Sequence, residues 1–421
     1  MNSKLLIVIF GALINACILH AISSVNADDS SLFIYGKVTT IDNETYEGQI
    51  RWGGEEAFWF DMFNSSKEKN EYLKYLSDDQ LDALNGHEDN HASNNWNKWF
   101  KSSKNSWSNW DNKHTHLFAC QFGDIASLII HGDEDVELVL KNGEALHLDG
   151  GSNDIGADVM VHDGEIGDVN IDWRRIKKVE FMNTPNGLVS GFGQALWGAV
   201  ETEHGNFTGF LQWDHDERLT KDVLDGEYED GELSIEFGKI KKIQKYGHGS
   251  KVTLHSGRSF NLYDSNDVDE DNRGIIVNIP GQGRVDIEWD EFVSMTIAEQ
   301  ADNYNYSYTS FTGDQALNAT VETVEGKKYS GALVFDLDEK YQLEMLDGVK
   351  DDITYFIPFG HVAEISPLNR EESEVILING TKLILEEKVD VTRNNDGVLV
   401  FENAQNPQYI PWNQVRKVSF R

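Results

Sequence analysis

The sequence predicts an all-β protein built from three tandem repeats that follow an N-terminal export signal. One pattern of residues recurs three times, in segments that begin near Val38, Val200 and Val321. Within each segment, alternating apolar residues flank an Asn-Gly or Ser-Gly pair, which is typical of a β-hairpin. The chain is 39% hydrophobic and 11% aromatic, so it can form ordered cores despite a formal net charge of −36.

Residues 1–27 have the order of a secretory signal peptide. Lys4 precedes a long apolar run, and the segment ends on small residues at Ala27. Cys17 loosely resembles the cysteine of a lipoprotein cleavage site, but apolar residues continue beyond it, so we do not expect a lipid anchor. No later stretch approaches the length of a membrane helix. We therefore expect a mature chain from Asp28 that is exported to the periplasm or the extracellular space, without a transmembrane segment.

The cysteine count limits how the exported fold is held together. Once the signal is removed, Cys120 is the one remaining cysteine, so no disulfide can form within the chain. Cys120 lies in the apolar sequence FACQF, which favours a small buried side chain over a reactive thiol. The fold is expected to depend on burial.

The first half of each repeat is defined by its spacing from one glycine. An aromatic residue lies two positions before this glycine and another four after it, a glutamate lies eight after it, and an acidic residue lies thirteen after it. The glycines are Gly48, Gly209 and Gly331; the second aromatics are Trp52, Trp213 and Phe335; the glutamates are Glu56, Glu217 and Glu339; the acids are Asp61, Asp222 and Glu344.

The second half of each repeat begins with Phe-Gly, continues with a predicted hairpin and ends on a tryptophan followed by apolar residues. The spacing after Phe-Gly matches the spacing after the tryptophan, so each repeat divides into two related units of about 50 residues. Short strands, a tight hairpin and a one-turn connector resemble an SH3-like or Sm-like small barrel. The alternative is a propeller-like or elongated array of sheets. The repeats are expected at 33–182, 192–298 and 316–421.

Repeat 1 differs from the others by a long insertion. The glycine and the Phe-Gly pair are 28 residues apart in repeats 2 and 3 but 74 apart in repeat 1, so 46 residues are inserted, at about 65–113. Long loops on compact scaffolds are often functional. The insertion begins with a short helical pattern and continues into a stretch rich in Asn, Ser and Lys that contains Trp96, Trp99, Trp107 and Trp110.

Tryptophan beside lysine suits stacking on sugars or binding to an acidic protein. We predict a ligand site formed by these four tryptophans and the neighbouring Trp52, Glu56, Trp59 and Asp61. The competing interpretation is that the insertion tryptophans fold back as a roof over the core of repeat 1, because apolar surface left in water is costly.

The insertion also contains a possible metal site. His87-Glu88-Asp89-Asn90-His91 has the H-E-x-x-H spacing of a zinc hydrolase, in which Glu88 would act as general base. His114 and His116 could add a further ligand. However, the surrounding Asn, Asp and Gly residues disfavour the helix that this spacing requires. A solvated loop is the competing interpretation.

Acidic side chains also recur in register, at 214–217 and 336–339, and they crowd the loop around Asp267. Such loops could hold calcium, although they lack the spacing of an EF-hand. Glu56, Glu217 and Glu339 could instead pair with a basic side chain within each repeat.

These observations favour a non-enzymatic binding or scaffold protein that recognises a protein or carbohydrate ligand. Strong negative charge argues against nucleic acid as a partner. A metal-dependent hydrolase that uses the His87–His91 segment, with zinc, remains the alternative; calcium in the acidic loops would fit the binding protein.

Overall fold

The computed structural model describes residues 30–67, 70–85, 117–150, 154–229, 231–300, 304–403 and 406–421. It confirms the all-β prediction, since 53% of the chain is strand and the described residues contain one α-helix, α1 (Asp78–Asn85). Period-2 alternation of burial, as along Tyr35–Thr40, is the physical basis of these strands.

The segment predicted as repeat 1 contains ten described strands, and the repeat numbers are kept below as names for the predicted segments. The strands are β1 (Tyr35–Thr40), β2 (Thr45–Trp52), β3 (Met62–Lys67), β4 (Leu117–Gln121), β5 (Ile125–Ile130), β6 (Asp135–Leu140), β7 (Ala145–Asp149), β8 (Val159–Asp163), β9 (Gly167–Ile171) and β10 (Ile176–Phe181). Those of repeat 2 are β11 (Trp197–Thr202), β12 (Gly205–Trp213), β13 (Val223–Tyr228), β14 (Gly231–Glu236), β15 (Ile240–Tyr246), β16 (Gly249–Leu254), β17 (Ser259–Leu262), β18 (Ile275–Ile279), β19 (Gly283–Ile287) and β20 (Phe292–Ile297). Those of repeat 3 are β21 (Asn318–Thr323), β22 (Lys328–Val334), β23 (Met345–Lys350), β24 (Ile353–Pro358), β25 (Val362–Pro367), β26 (Glu372–Leu377), β27 (Lys382–Glu386), β28 (Val398–Phe401), β29 (Gln408–Ile410) and β30 (Val415–Phe420).

The strands form antiparallel sheets of 10, 18 and 2 strands. In the first sheet the order β7-β6-β5-β10-β1-β2-β8-β9 follows β4-β3. The same succession of pairings occurs twice in the second sheet. It runs through β17-β16-β15-β20-β11-β12-β18-β19 in repeat 2. It runs through β27-β26-β25-β30-β21-β22-β28-β29 in repeat 3. The pairing of β19 with β24 joins repeats 2 and 3 into one sheet.

The large sheets are not closed barrels, so the closure implied by the SH3-like or Sm-like resemblance is not observed. The physical reason lies in the edges. Strands continue to pair outward, and β19 pairs with β24 of the next repeat. Pairing with a neighbouring repeat satisfies edge N–H and C=O groups that a barrel would satisfy by closing on itself.

One-turn connectors follow the Phe-Gly and tryptophan positions. The 3₁₀ turns there are Phe122–Asp124, Phe237–Lys239, Phe359–His361, Trp173–Arg175 and Trp412–Gln414. After Trp289 the chain makes a hydrogen-bonded turn, in which the Phe292 amide donates to the Trp289 carbonyl at 3.2 Å. Further 3₁₀ turns span Ser30–Leu32, Glu71–Tyr75, Tyr308–Ser310 and Val389–Val391.

The recurring glycines lie where two strands approach closely. A Cβ added at Gly48 would lie 2.0 Å from the His162 carbonyl oxygen on β8. The corresponding distance to the carbonyl oxygen on β18 or β28 is 2.1 Å at both Gly209 and Gly331. No Cβ fits at such distances, so the repeat requires glycine here.

Three large clusters of buried residues follow the repeats, although the first also includes side chains from the other two. In each cluster the second recurring aromatic meets the closing tryptophan edge to face. The ring pairs are Trp52–Trp173 at 6.1 Å, Trp213–Trp289 at 6.1 Å and Phe335–Trp412 at 5.5 Å. These contacts join the end of the second strand of a repeat to the turn before its last strand, which explains the recurrence of both aromatics.

Candidate functional site

The predicted ligand residues next to the insertion lie in the protein interior. Trp52 and Trp59 have 0% exposure, Asp61 has 2% and Glu56 has 7%. The indole Nε1 of Trp52 donates to the backbone carbonyl of Asp154 at 2.9 Å. These side chains are held by core contacts, so the structure gives no surface on which the four could meet a ligand together.

The acidic residue that lies thirteen positions after the recurring glycine stabilises a turn in each repeat. One carboxylate oxygen accepts two consecutive backbone N–H groups at distances of 2.5–2.9 Å. The acids and the residues whose amides they accept are Asp61 with Ala57 and Phe58, Asp222 with Arg218 and Leu219, and Glu344 with Lys340 and Tyr341. A recurring sequence feature thus has a local structural role.

The same three acids also pair with basic side chains from a different repeat. The pairs are Asp61 with Arg218 at 2.5 Å, Asp222 with Arg51 at 2.7 Å and Glu344 with Lys67 at 2.5 Å. Arg218 is 1% exposed. Removing one partner of a buried pair leaves an uncompensated charge, so these contacts couple the repeats energetically.

The recurring glutamates lie among other carboxylates rather than beside a basic residue of their own repeat, so that prediction is wrong. Each glutamate is close to an aspartate whose Oδ2 accepts a backbone N–H at 2.6–2.8 Å. The carboxylate pairs are Glu56 with Asp154, Glu217 with Asp267 and Glu339 with Asp390.

Burial sets the protonation of these clusters. Burial, followed by the charges of Asp267, Asp216 and Asp214, raises the pKa of Glu217 to about 9. Burial also raises the pKa of Asp154 to about 7. Several carboxyl groups therefore keep a proton at neutral pH, because ionising all of them in one low-dielectric cluster would be unfavourable.

The other predicted ligand and metal positions lie outside the described residues. They are the insertion tryptophans Trp96, Trp99, Trp107 and Trp110 and the possible zinc ligands His87, His91, His114 and His116. The signal segment 1–27, with Cys17, also lies outside them. Their assignment stays a prediction.

The point of insertion is defined by the strands on either side of it. In repeats 2 and 3 the hairpins β13–β14 and β23–β24 are closed by two residues, 229–230 and 351–352. The matching hairpin β3–β4 pairs Ser66 with Leu117, so the insertion occupies the hairpin tip. The two strand ends are adjacent, so β3 and β4 pair as a hairpin in the same way as the matching strands of the other two repeats.

The base of the insertion is anchored on repeat 3. Leu76 and Leu84 pack into an apolar cluster with Leu337, Leu399 and Tyr409. The described part of the insertion ends with α1 at Asn85, beside repeat 3. Sequence reasoning missed this contact, since nothing in the spacing connects the insertion to another repeat.

Comparison with known proteins adds no functional assignment. Neither a protein-family model nor a curated protein sequence matches the chain. A solved structure described as "Streptogramin B lyase structure" aligns with 72% of this chain and 90% of its own, at 10% identity and a TM-score of 0.11. A TM-score this low carries no argument about fold or activity. Within the described residues, no helix combines the length and apolar character needed to cross a membrane.

Proposed function

We propose that the protein is an exported, non-enzymatic binding or scaffold protein that recognises a carbohydrate or protein ligand through the insertion of repeat 1. The supporting observation is that two hairpins end in two-residue turns whereas β3–β4 carries about fifty residues at its tip. A feature that occurs in one repeat alone is not needed to build the scaffold. Loops presented by a rigid β scaffold are a common place for binding.

The scaffold is proposed to consist of three copies of one unit, at 33–182, 192–298 and 316–421, each derived from two halves related to SH3-like or Sm-like strands. The matching order of strand pairings supports this interpretation. The recurring acids support it too, since they fasten corresponding turns. In this interpretation the ends of the strands hold the loops at fixed positions.

The chemistry of the insertion favours a carbohydrate or an acidic protein over nucleic acid. Its stretch from Ser93 to His116 brings four tryptophans and four lysines into a chain whose net charge is −36. Aromatic faces stack on sugar rings, and lysine beside tryptophan attracts acidic groups. The overall negative charge repels polyanions such as DNA.

The insertion can be tested without disturbing its anchor on repeat 3. One variant replaces residues 86–116 with a flexible Gly-Ser linker, and a second replaces Trp96, Trp99, Trp107 and Trp110 with serine. Binding is measured on a glycan array and by co-sedimentation with peptidoglycan, chitin and cellulose. We expect the full chain to bind at least one of these, and both variants to lose binding while keeping the circular dichroism spectrum of the full chain.

Equal binding by the variants would reject the insertion as the site, and the absence of binding to every carbohydrate would reject the carbohydrate form of the proposal. Export is tested separately by fusing residues 1–27 to alkaline phosphatase, which is active only where its disulfides form. A cytoplasmic, inactive fusion would reject export.

A further inference from the structure

A corner between repeats 2 and 3 brings together three side chains that can ligate a metal. His204, Glu291 and Asp352 each offer one ligand atom, and these atoms all lie within 4.8 Å of one another. The Nε2 of His204 is 3.2 Å from an Oε of Glu291. We propose that these three residues form a binding site for a zinc-class divalent metal ion that joins the two repeats.

Each ligand sits in a turn whose position is fixed by backbone contacts. The His204 amide donates to the Thr202 hydroxyl at 3.1 Å in the turn between β11 and β12. The Glu291 amide donates to the Glu288 carbonyl at 3.1 Å in the turn before β20. Asp352 closes the β23–β24 hairpin.

The sheet fixes the third ligand relative to the other two. β19 pairs with β24 across the junction of the repeats, and Ile287 lies opposite Ile353. The turn that carries Glu291 follows β19, and Asp352 directly precedes β24. The pairing of β19 with β24 therefore places Asp352 of repeat 3 next to Glu291 of repeat 2. Ligands that are held by rigid elements in this way suit a metal site.

The same corner is built differently in repeat 1. There Arg175 occupies the position of Glu291, two residues after the closing tryptophan, and it pairs with Asp42 at 2.5 Å. In repeat 3 this position holds Gln414, whose carbonyl accepts the Val324 amide at 2.9 Å. Repeat 2 thus has the carboxylate of Glu291 at the position where repeat 1 has the cationic side chain of Arg175.

The charge and donor types define the class of ion. One imidazole and two carboxylates form a donor set that suits a divalent cation, and the neighbouring cation Lys350 is already paired with Asp351. Imidazole nitrogen with carboxylate oxygen suits zinc and its first-row neighbours, whereas calcium prefers oxygen alone. His204 and Asp352 are exposed, so a water can complete the coordination.

Zinc binding is measured by isothermal titration calorimetry on the full mature chain, prepared without a histidine tag and freed of metal with a chelator. The test variants are His204→Ala and Asp352→Asn. Asp352 has φ of 58°, a conformation that asparagine tolerates well, so the second variant keeps the turn. The control is His131→Ala, because His131 forms a two-residue pair with Glu137 at 3.7 Å.

We expect the wild-type chain and the His131→Ala control to bind one equivalent of zinc at this site, with a rise in melting temperature on binding. Each test variant should lose this equivalent or bind it at least tenfold more weakly, since even second-shell changes cost about 10–100-fold. Zinc binding that both test variants retain in full would place the ion elsewhere, for example at the predicted His87–His91 segment, and would overturn the proposal. A wild-type chain that binds no zinc would also overturn it.

Discussion

Glu217 offers a direct test of the buried carboxylate clusters. Its side chain is mostly buried in repeat 2, and its Oε2 has no hydrogen-bond partner. Burial comes first, followed by the charges of Asp267, Asp216 and Asp214, and together they raise its pKa from 4.5 to about 9. The folded protein therefore holds a proton at neutral pH that the unfolded chain has released.

This difference in proton binding makes the free energy of unfolding depend on pH. Between pH 4.5 and about 9 the folded state binds more protons at Glu217 than the unfolded state does, so stability is lost as the pH rises. The slope is about 1.4 kcal/mol per pH unit, or about 3 kcal/mol between pH 6 and pH 8. Glu217→Gln keeps the shape of the neutral carboxyl group but cannot ionise, so it removes this slope.

The assay is equilibrium unfolding in urea at pH 6, 7 and 8, with a chelator present to exclude metal effects. The free energy of unfolding of Glu217→Gln relative to wild type should rise by about 3 kcal/mol from pH 6 to pH 8. Glu232→Gln is the control, because Glu232 is exposed on β14. A stability difference between Glu217→Gln and wild type that is the same at all three pH values would refute the reasoning.

Three further predictions concern contacts within the core and between the repeats. Arg218→Met should lower the free energy of unfolding by about 3–5 kcal/mol, because it leaves the buried carboxylate of Asp61 without its cation. Arg416→Met, at an exposed ion pair, is the control and should cost less than about 1 kcal/mol. Equal costs in urea unfolding would contradict this prediction. Gly209→Ala should lower the free energy of unfolding by at least about 2 kcal/mol, because its Cβ would lie 2.1 Å from a carbonyl oxygen of β18. Gly231→Ala is the control and should melt like wild type, because the space around Gly231 is open. Similar melting temperatures for the two variants would argue against this prediction. Cys120 is fully buried and burial raises its thiol pKa, so it should react with a thiol reagent only after denaturant is added, and fast labelling of the native protein would show otherwise.

The local elements of the fold could be predicted because their causes are local. The turns at Gly143, Gly257 and Gly380 were expected from alternating apolar residues around a glycine, and all three glycines have φ between 86° and 89°. The closing tryptophans were expected to start a one-turn connector, and 3₁₀ turns follow two of them. Each of these features depends on residues within a few positions of one another.

Barrel closure depends on pairing between distant strands, which the spacing of residues does not determine. Whether β19 pairs within its own repeat or with β24 is decided by the packing of whole repeats. The alternation of apolar residues is the same in either case. The all-β character could therefore be predicted from the sequence, whereas the open form of the large sheets could not.

Trp52 and Asp61 were predicted to contact a ligand, but both are buried, and the reason is related. Tryptophan and acidic residues are typical of binding sites, but the same types can also form a core contact and a turn cap. Recurrence in all three repeats was the better guide, since Trp213 and Asp222 occupy the same positions where no insertion exists. The buried Asp154 was missed because the insertion shifts its distance from the repeat glycine.

The cross-repeat ion pairs mean that the three repeats form one energetic unit. Asp61 depends on Arg218, Asp222 depends on Arg51, and Glu344 depends on Lys67, so repeats 1 and 2 each supply a cation to another repeat. Isolating a repeat would remove the partner of at least one of these charged side chains, so we expect isolated repeats to be less stable than the same repeats in the full chain. The hairpin tip that carries the insertion is thereby held at a fixed position relative to repeat 3, on which α1 is docked. For the binding segment that we propose, ends fixed in this way would leave less conformational freedom to lose when a ligand binds, which would favour affinity.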